Sequence, residues 1–282
     1  MRPHSLGTAV APVLVAGGVA VRDGGARPWA FLLALLGVAL LLVGVNLGND
    51  YFDFRSGADP PVGVGTRPLQ SGLLAPRWFL LGSLASFCLG GLIGAILALH
   101  SPPDILLLGL GAALLGFFYT APPLRLGYRG LGEVVVFVLL GPGATLGAYA
   151  VTADRFALLP VWAAIPIGLV VAALLHANNL RDLAEDTRAD KRTLAVSLGE
   201  RLAPYEFAVL VWGAEAAIVG LAATVTPLAA LALLTVPQAW QLSRDAKPGP
   251  VHGRKLMQGT ASLHLRLAAL LAIGFALSRL LG

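Results

Sequence analysis

Long apolar blocks, separated by short polar breaks, run the whole length of this chain. Nine of them fall at roughly 5–21, 28–50, 78–99, 104–120, 131–152, 157–178, 204–223, 227–242 and 261–281. Several are close to the length at which a tilted helix crosses about 30 Å of hydrocarbon. Lipid offers no partner to a free peptide group, so each block is expected to be a helix. The pattern therefore predicts an all-α membrane protein of nine transmembrane helices, a single domain over residues 1–282.

Two of the polar breaks are acidic. The first reads NLGNDYFDFRSGAD at 46–59 and the second NNLRDLAEDTRADKRTLAV at 178–196. On a helix, Asn46, Asn49, Asp50 and Asp53 recur at spacings of three and four and share one face, as do Asn178, Asp182 and Asp186. Carboxylates and amides beside a membrane core are costly unless a cation fills the space between them. Oxygen-only donors of this kind suit a hard cation such as Mg²⁺, bridging to phosphate. Each cluster sits where a helix ends at its C-terminus, and that end of the dipole favours a cation over bare phosphate. The expected arrangement is a diphosphate bound through metal, with Arg67, Arg181, Lys191 and Arg192 neutralising its oxygens. Those groups together would stabilise pyrophosphate as it leaves.

Composition agrees with the membrane reading. The chain has 282 residues, 57% hydrophobic and 12% charged, with mean hydropathy +0.79. Soluble domains carry about twice that charged fraction. Cys88 stands alone, which excludes an intramolecular disulfide. No cleavable signal peptide stands out, and the opening MRPHSLGTAVAPVLVAGGVAV reads as a first span with a basic N-terminus. The net charge of +5 is a topology signal and not a nucleic-acid one. Connections after the second, fourth, sixth and eighth blocks hold most of the arginines and lysines, and the opposite side holds only Arg22, Arg27 and Arg155. Both acidic clusters and the N-terminus are therefore expected on the cytoplasmic side of the cell membrane, and the C-terminus outside. Asn46 and Asp50 match Asn178 and Asp182 at one common offset, and RPLQSGLLAPRWF echoes RTLAVSLGERLAPYEF. A duplicated four-helix unit with both clusters facing one cavity would produce this, as would chance similarity among apolar sequences.

Four stretches carry a resemblance: RPHSLGTAVAPVL near the N-terminus, NDYFDFRSGAD, YTAPPLRLGYRGLGEVVVF, and NNLRDLAEDTRADKRTLAVSLG. The chain resembles the UbiA superfamily of intramembrane prenyltransferases. Within it, the branch that prenylates 1,4-dihydroxy-2-naphthoate in menaquinone synthesis is the most similar. The resemblance implies a nine-helix bundle around a central cavity, open to the cytoplasm and laterally to lipid. It implies Mg²⁺-dependent ionisation of a polyprenyl diphosphate, with Mn²⁺ as a substitute ion. The allylic cation then alkylates an aromatic acceptor, and the naphthoate branch loses CO₂ at the alkylated carbon. Asn46, Asp50 and Asp53 match the first metal motif and Asp182 and Asp186 the second. Asp59 lies six residues beyond Asp53 instead of the four common in the superfamily, a spacing the naphthoate branch shares.

Around these motifs, Tyr119 could face the cavity and stabilise an allylic cation through its ring, or serve as an interfacial anchor. Asn49, Tyr128, Arg129 and Asn179 are candidate substrate contacts, with ordinary positive-inside charge as the alternative for the loop cation. Glu133, an acid just inside a span, is expected on the cavity wall. His176 reads as a satisfied interior histidine before a proton acceptor. Phe117, Phe118, Phe137 and Trp162 are core or lipid contacts by default, and tunnel residues otherwise. Other acceptors within the superfamily are 4-hydroxybenzoate, haem, chlorophyllide and an ether-lipid glycerol phosphate. The alternative outside enzymology is an ion-coupled secondary transporter. Acids near the cytoplasmic helix ends, followed by basic loops, fit phosphate chemistry better.

Overall fold

The computed structural model describes residues 3–56, 69 and 74–280. Among these residues it is helical throughout, without a strand. The order is α1 (Pro3–Arg22), α2 (Pro28–Ser56), α3 (Pro76–Ala98), α4 (Ile105–Phe117), α5 (Gly132–Val138), α6 (Ala144–Ala153), α7 (Leu159–Arg188), α8 (Leu194–Thr224), α9 (Val236–Asp245) and α10 (Pro250–Ser278). A π-helical turn over Leu139–Gly143 joins α5 to α6, so these two form one bent rod. A 3₁₀ stretch, Pro227–Thr235, leads into α9.

Each apolar block contains helix, but the boundaries differ in an informative way. Helix α7 continues ten residues past the block that ended at 178, and α2 continues past 50. Both acidic clusters are therefore helical. Hydropathy marks only the part of a helix that lipid or core surrounds, whereas these polar ends face an internal space. Helix α8 likewise starts at Leu194, ten residues early. Thr193 caps it, its hydroxyl accepting from the Val196 amide at 3.3 Å. Among the described residues, six rods are long and apolar enough to span a bilayer: Pro28–Arg55, Pro76–Ala98, Gly132–Ala153, Leu159–Arg188, Leu194–Thr224 and Pro250–Ser278. Helices α1 and α4 are shorter apolar helices, and the eighth block is divided between the 3₁₀ stretch and α9.

Proline begins several of these elements. It occupies the first turn of α3, α7, α9 and α10, where its missing N–H has no partner to lose. Inside the bilayer, apolar burial between helices gains little over lipid contact, so association depends on close packing of small side chains. That is the composition found here. Ala11, Ala16 and Ala20 of α1, and Ala163, Ala164, Ala173 and Ala177 of α7, are all buried. Helix α7 is the most enclosed of the long rods. At Gly141 (φ −93°, ψ −106°) the α5–α6 rod bends against it. A Cβ there would lie 2.8 Å from the Gly168 Cα, so the two backbones cross almost in contact. The outer faces of α3 and α4 carry exposed leucines, among them Leu84, Leu92, Leu107 and Leu110.

The end of the bundle remote from the acidic clusters is closed by fixed charges. Arg27 donates to the carbonyls of His100 (2.6 Å) and Val151 (2.7 Å) and pairs with Asp154. Asp23 accepts from Tyr149 (2.5 Å) and Arg155 (3.0 Å).

Candidate active site

The C-terminal ends of α2 and α7 meet across one cavity of about 1790 Å³. Its polar end carries Asn46, Asn49, Asp50 and Asp53 from α2 and Asn178, Asn179, Arg181 and Asp182 from α7. For these residues the spacing argument holds in three dimensions and the faces oppose each other, whereas Asp186, one turn beyond Asp182, is buried off the cavity wall. The other end is apolar and reaches Ala34, Leu97, Ile105 and Val151. Along α2, Ala34 to Asp53 is about 28 Å at 1.5 Å per residue. The cavity is thus a long apolar arm ending in a carboxylate-rich head.

Two loops close the head. The segment after α4 brings in Tyr119, Thr120 and Tyr128, and the segment after α7 brings in Lys191. They are stitched together by the Arg192 amide, which donates to the Tyr128 carbonyl at 3.2 Å. Arg125 turns the first loop with a left-handed backbone (φ 44°), and its guanidinium lies 5.8 Å from the Tyr128 ring centroid. The Lys191 ammonium lies 5.1 Å from the same ring. The Tyr128 hydroxyl donates to Asp53 Oδ1 at 2.6 Å. Lys191 in turn pairs with Asp186 Oδ1 at 3.6 Å. Tyr128 thus links the first acidic cluster to the second. Thr120, which the sequence did not single out, donates to Asn49 Oδ1 at 2.7 Å.

Charge in the head is already partly matched. Arg181 donates through Nε to Asp182 Oδ1 at 2.6 Å, again through Nη2 to Asp182 Oδ2, and to Asn178 Oδ1 at 2.9 Å. Arg181, expected to neutralise phosphate oxygens, is paired here with its own neighbour Asp182. Asp186 is buried, and its Oδ2 has no hydrogen-bond partner. Tyr119 is half-buried, with its hydroxyl packed at the start of α5, where a Cβ on Gly132 would come within 2.9 Å of it. Tyr119 lines the cavity.

Some expected residues lie elsewhere. Arg129 is exposed, donates to the Pro123 carbonyl at 3.2 Å, and is not part of the cavity wall. Arg192 is exposed near Asp190. Glu133 is not on the wall but behind it, buried and bonded to Asn179 and His176. His176 has both ring nitrogens engaged, as the satisfied interior reading required. Phe117 packs edge-to-face on Phe118 and on Phe52, the Phe137 ring lies against Gly168, and Trp162 is exposed, so none of the four lines the arm. Asp59 and Arg67 lie outside the described residues. Glu185, Arg188, Glu200 and Arg254 line the head without having been singled out. Each sits among polar residues near a helix end, and nothing in one sequence separates such positions from ordinary loop charge.

The sequence pattern of the UbiA prenyltransferase family matches residues 9–265, which include both acidic clusters. The chain belongs to that family. It is accordingly a multi-pass membrane enzyme that transfers prenyl groups. Over 281 residues, it is 36% identical to the 1,4-dihydroxy-2-naphthoate octaprenyltransferase of Mycobacterium tuberculosis (strain ATCC 25618 / H37Rv), covering 97% of this chain and 95% of that relative. The fold matches that of a UbiA homolog from Aeropyrum pernix K1 with a TM-score of 0.74 at 15% identity, over 99% of this chain and 98% of that one. It also matches a UbiA homolog from Archaeoglobus fulgidus bound to GPP and Mg²⁺, with a TM-score of 0.68 at 15% identity, over 97% and 98% of the two chains.

Proposed function

We propose that this UbiA enzyme transfers a polyprenyl group from polyprenyl diphosphate to 1,4-dihydroxy-2-naphthoate. CO₂ and pyrophosphate leave, and a demethylmenaquinone-type product forms after oxidation of the quinol. The convergence of two carboxylate clusters at the head of a 1790 Å³ cavity with a long apolar arm carries this reading. A prenyl tail fits the arm and a diphosphate the head. Identity of 36% over nearly the whole of a naphthoate octaprenyltransferase supports the choice of acceptor.

The head also fits a divalent cation. Its donors are carboxylate and amide oxygens, and Asp186 Oδ2 is buried without a hydrogen-bond partner. Asp50, Asp53, Asp182 and Asp186 would hold Mg²⁺, or Mn²⁺ in its place, and Asp59 follows the same motif. Bound there, the ion neutralises the charge that develops on the departing diphosphate. Arg181 and Lys191 are two of the chain's own cations at this point, each able to exchange a carboxylate partner for a phosphate oxygen. Tyr119 presents a neutral π-face to an allylic cation. Both loops are rich in arginine and lysine, which supports a head that opens to the cytoplasm of the cell membrane.

The test uses purified protein, a polyprenyl diphosphate, Mg²⁺ and 1,4-dihydroxy-2-naphthoate labelled at its carboxyl carbon. Labelled CO₂ should appear in step with pyrophosphate and the prenylated product. Prenylation of 4-hydroxybenzoate with none of the naphthoate would leave the family intact and reject the acceptor.

A further inference from the structure

Behind the cavity wall lies a buried chain of polar groups that the transfer reaction does not obviously require. Glu206 of α8, His176 of α7 and Glu133 of α5 bring their carboxylate and imidazole atoms within 4.8 Å of one another. Glu133 is 4% exposed and His176 is 0% exposed. Polar groups this deep in a bundle are costly unless each serves a partner.

The donors and acceptors can be assigned from chemistry alone. A backbone carbonyl only accepts, so His176 Nε2 carries a hydrogen and donates to Ala203 O at 2.9 Å. Nδ1 faces Glu133 Oε1 at 3.1 Å and Glu206 Oε2 at 3.4 Å. With Glu133 ionised its oxygens only accept, so Nδ1 donates as well. The imidazole thus holds Glu133 in place as an acceptor. Asn179 Nδ2 donates to that same Glu133 Oε1 at 2.8 Å. An amide facing an acceptor must present its NH₂, which fixes which end points away. Asn179, like Tyr119 and Leu175, lines the cavity, so the end left for the cavity is its carbonyl oxygen.

A carbonyl oxygen cannot hydrogen-bond a fully ionised diphosphate, because both sides are acceptors. It can accept from a phenolic hydroxyl. We infer that Asn179, aimed by Glu133 and His176, receives a ring hydroxyl of the aromatic acceptor and so sets its position against the Tyr119 ring. Glu133 and His176 are then positioning residues. This inference rests on the proposed function, and it names the acceptor's subsite within it.

The experiment measures KM for naphthoate and for prenyl diphosphate separately, on the full-length purified enzyme. Asn179→Ala is expected to raise KM for naphthoate by about three- to tenfold, the range of one lost hydrogen bond. KM for prenyl diphosphate should stay within about twofold. Glu133→Gln can flip the Asn179 amide, so it should give the same split. The double variant should be no worse than Asn179→Ala alone, as coupled groups behave. A rise in KM for prenyl diphosphate, or a loss confined to kcat, would overturn the assignment. So would multiplicative effects in the double variant. Should Glu133→Gln not fold, the Asn179→Ala split decides by itself. If the wild-type enzyme is inert on naphthoate but prenylates another phenol, the naphthoate reading fails. The same KM split, measured with that phenol, still decides the role of Asn179.

Discussion

Four aspartates share the head of the cavity without being equivalent. Asp50, Asp53 and Asp182 line it, and Asp186 lies buried behind Lys191. Asp50→Ala, Asp53→Ala, Asp182→Ala and Asp186→Ala should each lower turnover at least about 100-fold, as loss of a positioned electrostatic group does. The variants at Asp50, Asp53 and Asp182 should keep the wild-type helical circular dichroism, since these groups face a polar cavity. Near-normal activity in two or more would mean the site is misplaced. Tyr128→Phe tests the bridge between clusters. It removes one charge-assisted hydrogen bond to Asp53, worth about 1.5–3 kcal/mol, but keeps the ring over Lys191. A fall in kcat of about tenfold or more is the expected result in a steady-state assay. The aspartates and their asparagines were legible in the sequence because helical spacing alone puts them on one face. Tyr128 was visible only as a loop aromatic. Its bond to Asp53 joins residues 75 positions apart, and no local pattern reports that. The pairing of Arg181 with Asp182 is local, yet arginine beside aspartate reads equally well as two independent ligands.

At the level of elements, the site depends on how closely α10 approaches α7. A Cβ on Gly253 would lie 2.6 Å from the Arg181 Cα, so α10 passes over the residue that holds Asp182. Gly253→Val should push the two helices apart, at about 1–3 kcal/mol of overpacking. A lower thermal midpoint in detergent, together with a loss of transferase activity of more than about tenfold, is expected. Gly220→Ala on α8 meets open space and should leave both measurements near wild type. The helices themselves were legible as apolar blocks. Their polar ends were not, because hydropathy falls where α2 and α7 enter the head although the backbone stays helical. The bend at Gly141 was likewise invisible: Gly-Pro-Gly in a membrane span signals a break but not its angle.

Taken whole, the molecule has an open acidic head at one end and a clamp of paired charges at the other. Cys88→Ala protein carrying Ser197→Cys should be labelled by an impermeant thiol reagent only after cells are opened, whereas Asp104→Cys should react from outside. The reverse pattern would invert the orientation. The ion that the head fits should be needed for chemistry and not for folding. Excess EDTA is expected to abolish prenyl transfer while leaving the thermal midpoint where it was, and a large downward shift would show the opposite. The reason lies in Arg181 and Lys191, which meet Asp182 and Asp186 from within the chain. Counter-charges of this sort come with the polypeptide at synthesis. Such a protein can be inserted and stored in a membrane during magnesium starvation, and supplying the ion switches on a molecule that is already assembled.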